Sequence, residues 1–195
     1  MRHSHTIERA IKKVAVLHKD QKRKGEGGLP YVTHLFSVAL ILSEYTDDED
    51  VIVAGLLHDT LEDTVYTEGE LERDFGKRVH DIVVGVTEPK YEDGEKLPWE
   101  ERKRAYIRGL QQAPKESLLV SAADKTHNFQ SATTNESYLG DPEAFKKDFQ
   151  AEDRVRFYSA VVDVITEGLG EDHALVVRLR DTFARYKDFL EKMYT

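Results

Sequence analysis

Apolar residues recur every three or four positions along most of the chain. Ile7, Ala10, Ile11, Val14, Ala15 and His18 form one such stripe, and Val155, Tyr158, Val161, Val162 and Ile165 form another. That spacing places side chains on one face of a helix. No segment shows the two-residue alternation of a convincing strand, so the pattern predicts an all-α fold, a compact bundle of about eight to nine helices. Helix starts are expected at Asp47–Asp50, at Thr67 with Glu70 as a capping box, and at Asp141 with Pro142 as the first helical residue. The pattern breaks at Lys24–Pro30, Glu88–Pro98 and Thr133–Pro142, which read as loops. The acidic run Asp47–Asp50 has a structural explanation, because carboxylates favour the positive end of the helix that follows.

Composition narrows the setting. A chain of 195 residues with no Pro-, Gly- or Ser-rich linker is expected to form one domain with one core. Cysteine is absent, which excludes disulfides, thiolate zinc sites and cysteine nucleophiles and suits a reducing cytosol. The first twenty residues lack the apolar centre of a signal peptide, and no run of about 18 apolar residues occurs. The expectation is a cytoplasmic protein without membrane contact. A formal net charge of −9 argues against stable nucleic-acid binding, so an anionic small substrate needs a local basic pocket. Composition leaves a homodimer open.

The chemistry concentrates where an apolar run, Val51–Leu57, stops at His58-Asp59-Thr60-Leu61-Glu62-Asp63. On a helix, His58 and Asp59 would reach one cation lying off the helix end, with Glu62 and Asp63 one turn later. Three carboxylates this close repel one another, and a divalent cation relieves that repulsion. His34 falls on the core side of the first turn of its helix. Asp124 follows the apolar run Leu118–Ala123, where an unpaired buried carboxylate is costly. Two imidazoles and two carboxylates suit manganese, iron or zinc, and the set reads as a metal-dependent hydrolase.

A His, a His-Asp pair and a distant Asp, all on helices, resemble the HD-domain metal phosphohydrolases. The likeness narrows to the hydrolase domain of the RelA/SpoT family, especially its single-domain small alarmone hydrolases. Arg23-Lys24, Pro30–His34, Leu56–Thr64, Phe75-Gly76, Val86-Thr87, Glu101–Arg104, Ala122–Asn128, and Arg154 with Tyr158 carry it, in the family's order. The resemblance implies a single HD-type domain over residues 1–195, with 166–195 as a C-terminal helical extension. It implies one manganese ion, with iron, zinc or another divalent metal as alternatives, held by His34, His58, Asp59 and Asp124. A water would attack phosphorus, with Glu62 and Asp63 as the catalytic pair, and pyrophosphate would leave the ribose 3′ position of guanosine tetra- or pentaphosphate. Arg23 and Lys24 would meet the base, Asn128 the sugar, and Arg154 and Tyr158 phosphate and sugar. His127, three residues past Asp124, stays outside the implied ligand set.

This sequence departs from the family at two positions. Leu35 stands where members commonly have proline, a change expected to affect helix geometry alone. Trp99 stands where the metazoan small hydrolases carry a lysine near the phosphates, leaving Lys96, Arg102 or Lys103 to replace that charge. The alternatives are an HD-domain nucleotide or cofactor phosphomonoesterase and a nucleotide-binding sensor without turnover. A di-iron oxidase needs bridging histidines between the dyad and Asp124, where His80 alone is available. Met1–His5 could bind adventitious metal, although a frayed terminus is expected there.

Overall fold

The mostly apolar segment Leu118–Ala123 lies in the helix around which the others assemble. The computed structural model describes residues 4–92, 94–135 and 151–194. Its helices are α1 (His5–Leu17), α2 (Val32–Ser43), α3 (Glu49–Leu57), α4 (Thr60–Asp63), α5 (Glu68–Phe75), α6 (Lys77–Val84), α7 (Trp99–Gln112), α8 (Lys115–Thr134), α9 (Ala151–Leu169) and α10 (Ala174–Tyr194). Helix α8 packs against α2, α3, α6, α9 and α10. The all-α expectation holds. The expected boundary at 166 falls within α9, and α10 lies along α8. No helix of the described residues is long and apolar enough to cross a membrane.

Local signals set most helix ends. Asp48 caps α3 by accepting from Asp50 N–H, and Thr67 and Glu70 close a reciprocal capping box on α5. One expectation needs correction: a two-stranded hairpin pairs β1 (Tyr91–Glu92) with β2 (Glu95–Lys96), Tyr91 facing Lys96. Strands of two residues are too short to show alternation, and Gly94, at φ +82°, supplies the left-handed turn. Helix α8 also runs on to Thr134, two residues into the expected loop. The start predicted at Asp141-Pro142, the loop from residue 136 and the histidine at position 3 lie outside the described residues.

The stripes behave as their spacing predicts, except that Ala15 is exposed. Ile7, Ala10, Val14 and His18 are buried on α1, and Val161, Val162 and Ile165 on α9. Phe129 on α8 is fully enclosed, its ring centroid 5.0 to 5.1 Å from those of Tyr158, Phe183 and Tyr186. Offset and edge-on aromatic contacts of this kind add about 0.5–1.5 kcal/mol per pair beyond area burial. The cluster ties α8, α9 and α10 together beside the site.

Candidate active site

The chain enters the site at the end of α3, where the helix does not continue through the His-Asp pair. His58 is the C-cap of α3 and Asp59 the N-cap of the single-turn α4. Side chains take over the carbonyls there: His58 Nδ1 donates to Gly55 O at 2.8 Å and Thr60 Oγ1 donates to Leu57 O at 2.7 Å. One uninterrupted helix is therefore replaced by a junction, which turns both side chains toward the same point.

Four residues from three parts of the chain meet there. His34 Nε2 lies 3.2 Å from Asp124 Oδ1 and 3.6 Å from Asp59 Oδ2. His58 Nε2 lies 3.2 Å from Asp59 Oδ2 and 3.7 Å from Asp124 Oδ1. One donor atom each from His34, His58 and Asp59 falls within 4.8 Å of the others. The test of whether a cation fits is His58 itself. With Nδ1–H committed to Gly55, its Nε2 is buried among carboxylates with no hydrogen-bond partner. A cation satisfies that nitrogen and the facing carboxylates together. Nitrogen and carboxylate donors without thiolate suit manganese, iron or zinc.

The surroundings hold these groups in place. Tyr31 O–H donates to Asp59 Oδ2 at 2.6 Å, and burial together with that carboxylate pushes the phenol up, so it stays a donor. Asn128 Nδ2 donates to Asp124 Oδ1 and Lys125 Nζ to Asp124 Oδ2, both at 2.5 Å. The expected buried carboxylate is thus paired: burial works to raise Asp124, but Lys125 and the two histidines hold it well below the usual range. His34 Nδ1 meets His127 Nδ1 at 2.8 Å. Burial, then His34 and Arg23, push His127 down to about 3, so it is neutral and able to accept from His34 Nδ1–H, the tautomer in which His34 Nε2 is left to ligate. Burial opposes a proton on His58, yet Asp59 and Asp124 outweigh it and raise the group to about 9.

Glu62 and Asp63 divide. Glu62 is half-buried, with Oε1 accepting from Glu88 N–H at 2.7 Å, and desolvation followed by the charge of Asp59 pushes it up to about 7. Asp63 is more open and pairs with Lys90 at 2.7 Å. Lys90 also donates to Glu62 O, so one lysine bridges the pair. A cavity of about 200 Å³ contains His34, His58, Asp59, Glu62, Asp63 and Asp124. A larger one of about 510 Å³ adjoins it, sharing Tyr31, Asp63, Asn128 and Tyr158.

Arg23, Lys24, Asn128 and Tyr158 all line the larger cavity. Arg23 reaches Ser131 at 3.3 Å and Glu26 at 3.2 Å, with its guanidinium over the Tyr31 ring. Arg154 lines neither cavity among the described residues, although its charge acts on Tyr186, which lines the larger. Sequence reasoning gave no role to Tyr31, Lys125 or Glu88. Tyr31 is legible as one turn before His34, and Lys125 as the neighbour of a buried Asp. Glu88 becomes a neighbour of Glu62 only through the fold.

Fold and site define a helical protein with a buried His/Asp metal-type centre open to a basic cavity. A family model described as HD domain matches residues 10–150, and the chain belongs to the HD-domain family. Among its relatives is the guanosine-3′,5′-bis(diphosphate) 3′-pyrophosphohydrolase MESH1 of Danio rerio, 45% identical over 114 residues, covering 57% of this chain and 60% of that one. A GTP pyrophosphokinase of Myxococcus xanthus is 42% identical over 126 residues, covering 63% of this chain and 16% of that protein. The structure of a metazoan SpoT ortholog that hydrolyses ppGpp superposes with a TM-score of 0.77 at 28% identity, covering 95% of this chain and 97% of that one. The matches to these two curated relatives span at most 60% of their length.

Proposed function

We propose that this chain is a metal-dependent phosphohydrolase that removes pyrophosphate from the 3′ position of guanosine 3′,5′-bis(diphosphate), acting as one HD-type domain over residues 1–195 with 166–195 as its extension. The observation that carries this reading is the joining of two cavities, one with the His/Asp cluster and one basic and aromatic, through Asp63, Asn128, Tyr31 and Tyr158. The names of MESH1 and of the SpoT ortholog support the substrate.

His34, His58, Asp59 and Asp124 would hold one cation, with manganese favoured by family likeness and iron or zinc also suited. When bound, it would supply Lewis acidity, acidifying water and offsetting phosphoryl charge. Glu62 takes the proton of the attacking water. Glu88 anchors its Oε1, and an environment that pushes the carboxyl toward 7 makes it a better base than an exposed glutamate. Asp63 lies on the wall shared with the larger cavity, on the side of the leaving ribose oxygen. Arg23 and Lys24 receive the base, Asn128 and Tyr158 the ribose, and Arg154 supports the phosphates through its field.

Turnover of guanosine tetraphosphate should exceed that of guanosine 5′-monophosphate by orders of magnitude under the same metal load. The opposite preference would overturn the reading in favour of a phosphomonoesterase. Binding of both without turnover would overturn it in favour of a sensor.

Metal loading should also depend on pH in a definite direction. Without a cation, His58 holds a proton up to about 9 and Glu62 up to about 7. As a ligand His58 would have to give up that proton and Glu62 would be lowered by the added positive charge, so affinity should rise with pH and protons should be released on binding. Calorimetry at pH 7 in buffers of different ionisation enthalpy should show this release. A pH-independent affinity between 6 and 8 would contradict it.

A further inference from the structure

The single turn of α4 carries Asp59 at its start and Asp63 at its end, and it is closed by Asp63 N–H donating to Asp59 O at 3.0 Å. One turn fixes several backbone dihedrals for one such bond, so it keeps its shape only when groups outside it take its remaining carbonyls. Lys90 takes Glu62 O and Thr64 Oγ1 takes Thr60 O, each at 2.7 Å. The last carbonyl, that of Asp63, accepts from Gln21 Nε2 at 2.6 Å, across 42 positions of sequence.

Gln21 is itself aimed. Because its amide nitrogen donates to a carbonyl, its Oε1 is the acceptor in the 2.6 Å contact with His18 Nδ1, and the ring is the donor. His18 is the buried C-cap of α1, and its Nε2 has no hydrogen-bond partner among the described residues. An aromatic hydrocarbon would fill the same space without leaving a buried nitrogen unpaired, so packing alone does not account for this histidine. The ring also stacks on Tyr31, with centroids 5.4 Å apart and planes inclined by 25°. Tyr31 donates its O–H to Asp59 Oδ2 and its N–H to Gln21 O at 2.9 Å. His18 thus reaches Asp63 through Gln21 and Asp59 through Tyr31, the two ends of α4.

We infer that His18 and Gln21 are positioning residues, a brace that fixes the main chain of Asp63 relative to Asp59 and so aims the Asp63 carboxylate at the leaving oxygen. The role of Asp63 rests on the proposed hydrolase reading; the brace does not depend on the substrate. Neither residue lines the metal cavity, although Gln21 lines the larger one beside Asp63. Without Gln21 the carboxylate would follow Lys90, which pairs with it at 2.7 Å, instead of being held from both sides.

Manganese-loaded Gln21→Leu and His18→Phe should be compared with wild type on guanosine tetraphosphate. Leucine removes the bond to Asp63 O, whereas phenylalanine keeps the stack on Tyr31 and loses the Nδ1 donor. Gln21→Leu should lower kcat about 10–100-fold, with KM and metal content retained. His18→Phe should lower kcat less, with no loss of melting temperature, because the unpaired nitrogen is gone. In an Asp63→Asn background both changes should have little further effect on kcat, since the brace acts through that carboxylate. Full additivity there, an unaltered kcat, loss of metal, or a kcat that falls only together with the melting temperature would overturn the brace. Amide exchange supplies a readout that needs no substrate. The Asp63 N–H should exchange about tenfold or more faster in Gln21→Leu, with the amides of α8 unchanged. Faster exchange there in a protein that does not turn over guanosine tetraphosphate would uphold the brace while defeating the hydrolase reading. Unchanged exchange would overturn the brace even where guanosine tetraphosphate is hydrolysed.

Discussion

His58→Ala should lose bound metal and hydrolysis together. His58 contributes the one ring nitrogen in the cluster that is buried, tautomerically fixed and without a hydrogen-bond partner. Alanine removes that donor and leaves Asp59 and Asp124 facing each other across the gap. Losing an outer partner of a metal ligand typically costs about 10–100-fold in affinity, so losing a ligand should cost more than about 100-fold. Metal analysis after gel filtration should find the variant empty and the wild type near one ion per chain. A circular-dichroism melt confirms that the variant folds. A variant that keeps its metal and its turnover would remove His58 from the site.

Glu62→Gln should separate binding from chemistry. Glutamine has nearly the same shape, and its amide oxygen can still accept from Glu88 N–H. What it loses is the capacity to take a proton. The kcat should fall by about 10²–10⁴-fold, the usual contribution of a positioned general base, while metal content and KM change little. The wild-type rate should fall as pH drops through the Glu62 titration, because a protonated carboxyl is no base. That group titrates near 7 without a cation and lower with one. The residual rate of Glu62→Gln should lack this acidic limb, and near-normal kcat would transfer the role to Asp63.

Much of this was legible from the residues, for identifiable reasons. Helical periodicity and the caps at Asp48 and Thr67 are local signals, and the structure follows them. His34, His58, Asp59 and Asp124 were legible because each breaks an apolar run. Ionisable groups at buried helix positions are expensive unless they share a partner. Less legible was the break between α3 and α4, since Gly55 and Thr60 act through side-chain bonds to carbonyls that periodicity does not register. The Glu62–Glu88–Lys103 chain was harder still: its members are brought together only when the segment after α6 folds back over α4 and α7 packs against α9. The resemblance singled out Trp99, whereas the position of Lys103 on the wall of the metal cavity was not legible in the sequence.

The central claim is that the joined cavities perform 3′-pyrophosphate removal. Its most direct test is to incubate the protein with guanosine tetraphosphate and manganese and quantify pyrophosphate against orthophosphate, with Asp59→Ala as the blank. The account predicts pyrophosphate and guanosine diphosphate in equal amounts, with neither formed by Asp59→Ala. Orthophosphate as the main product, or turnover that survives loss of Asp59, would contradict it.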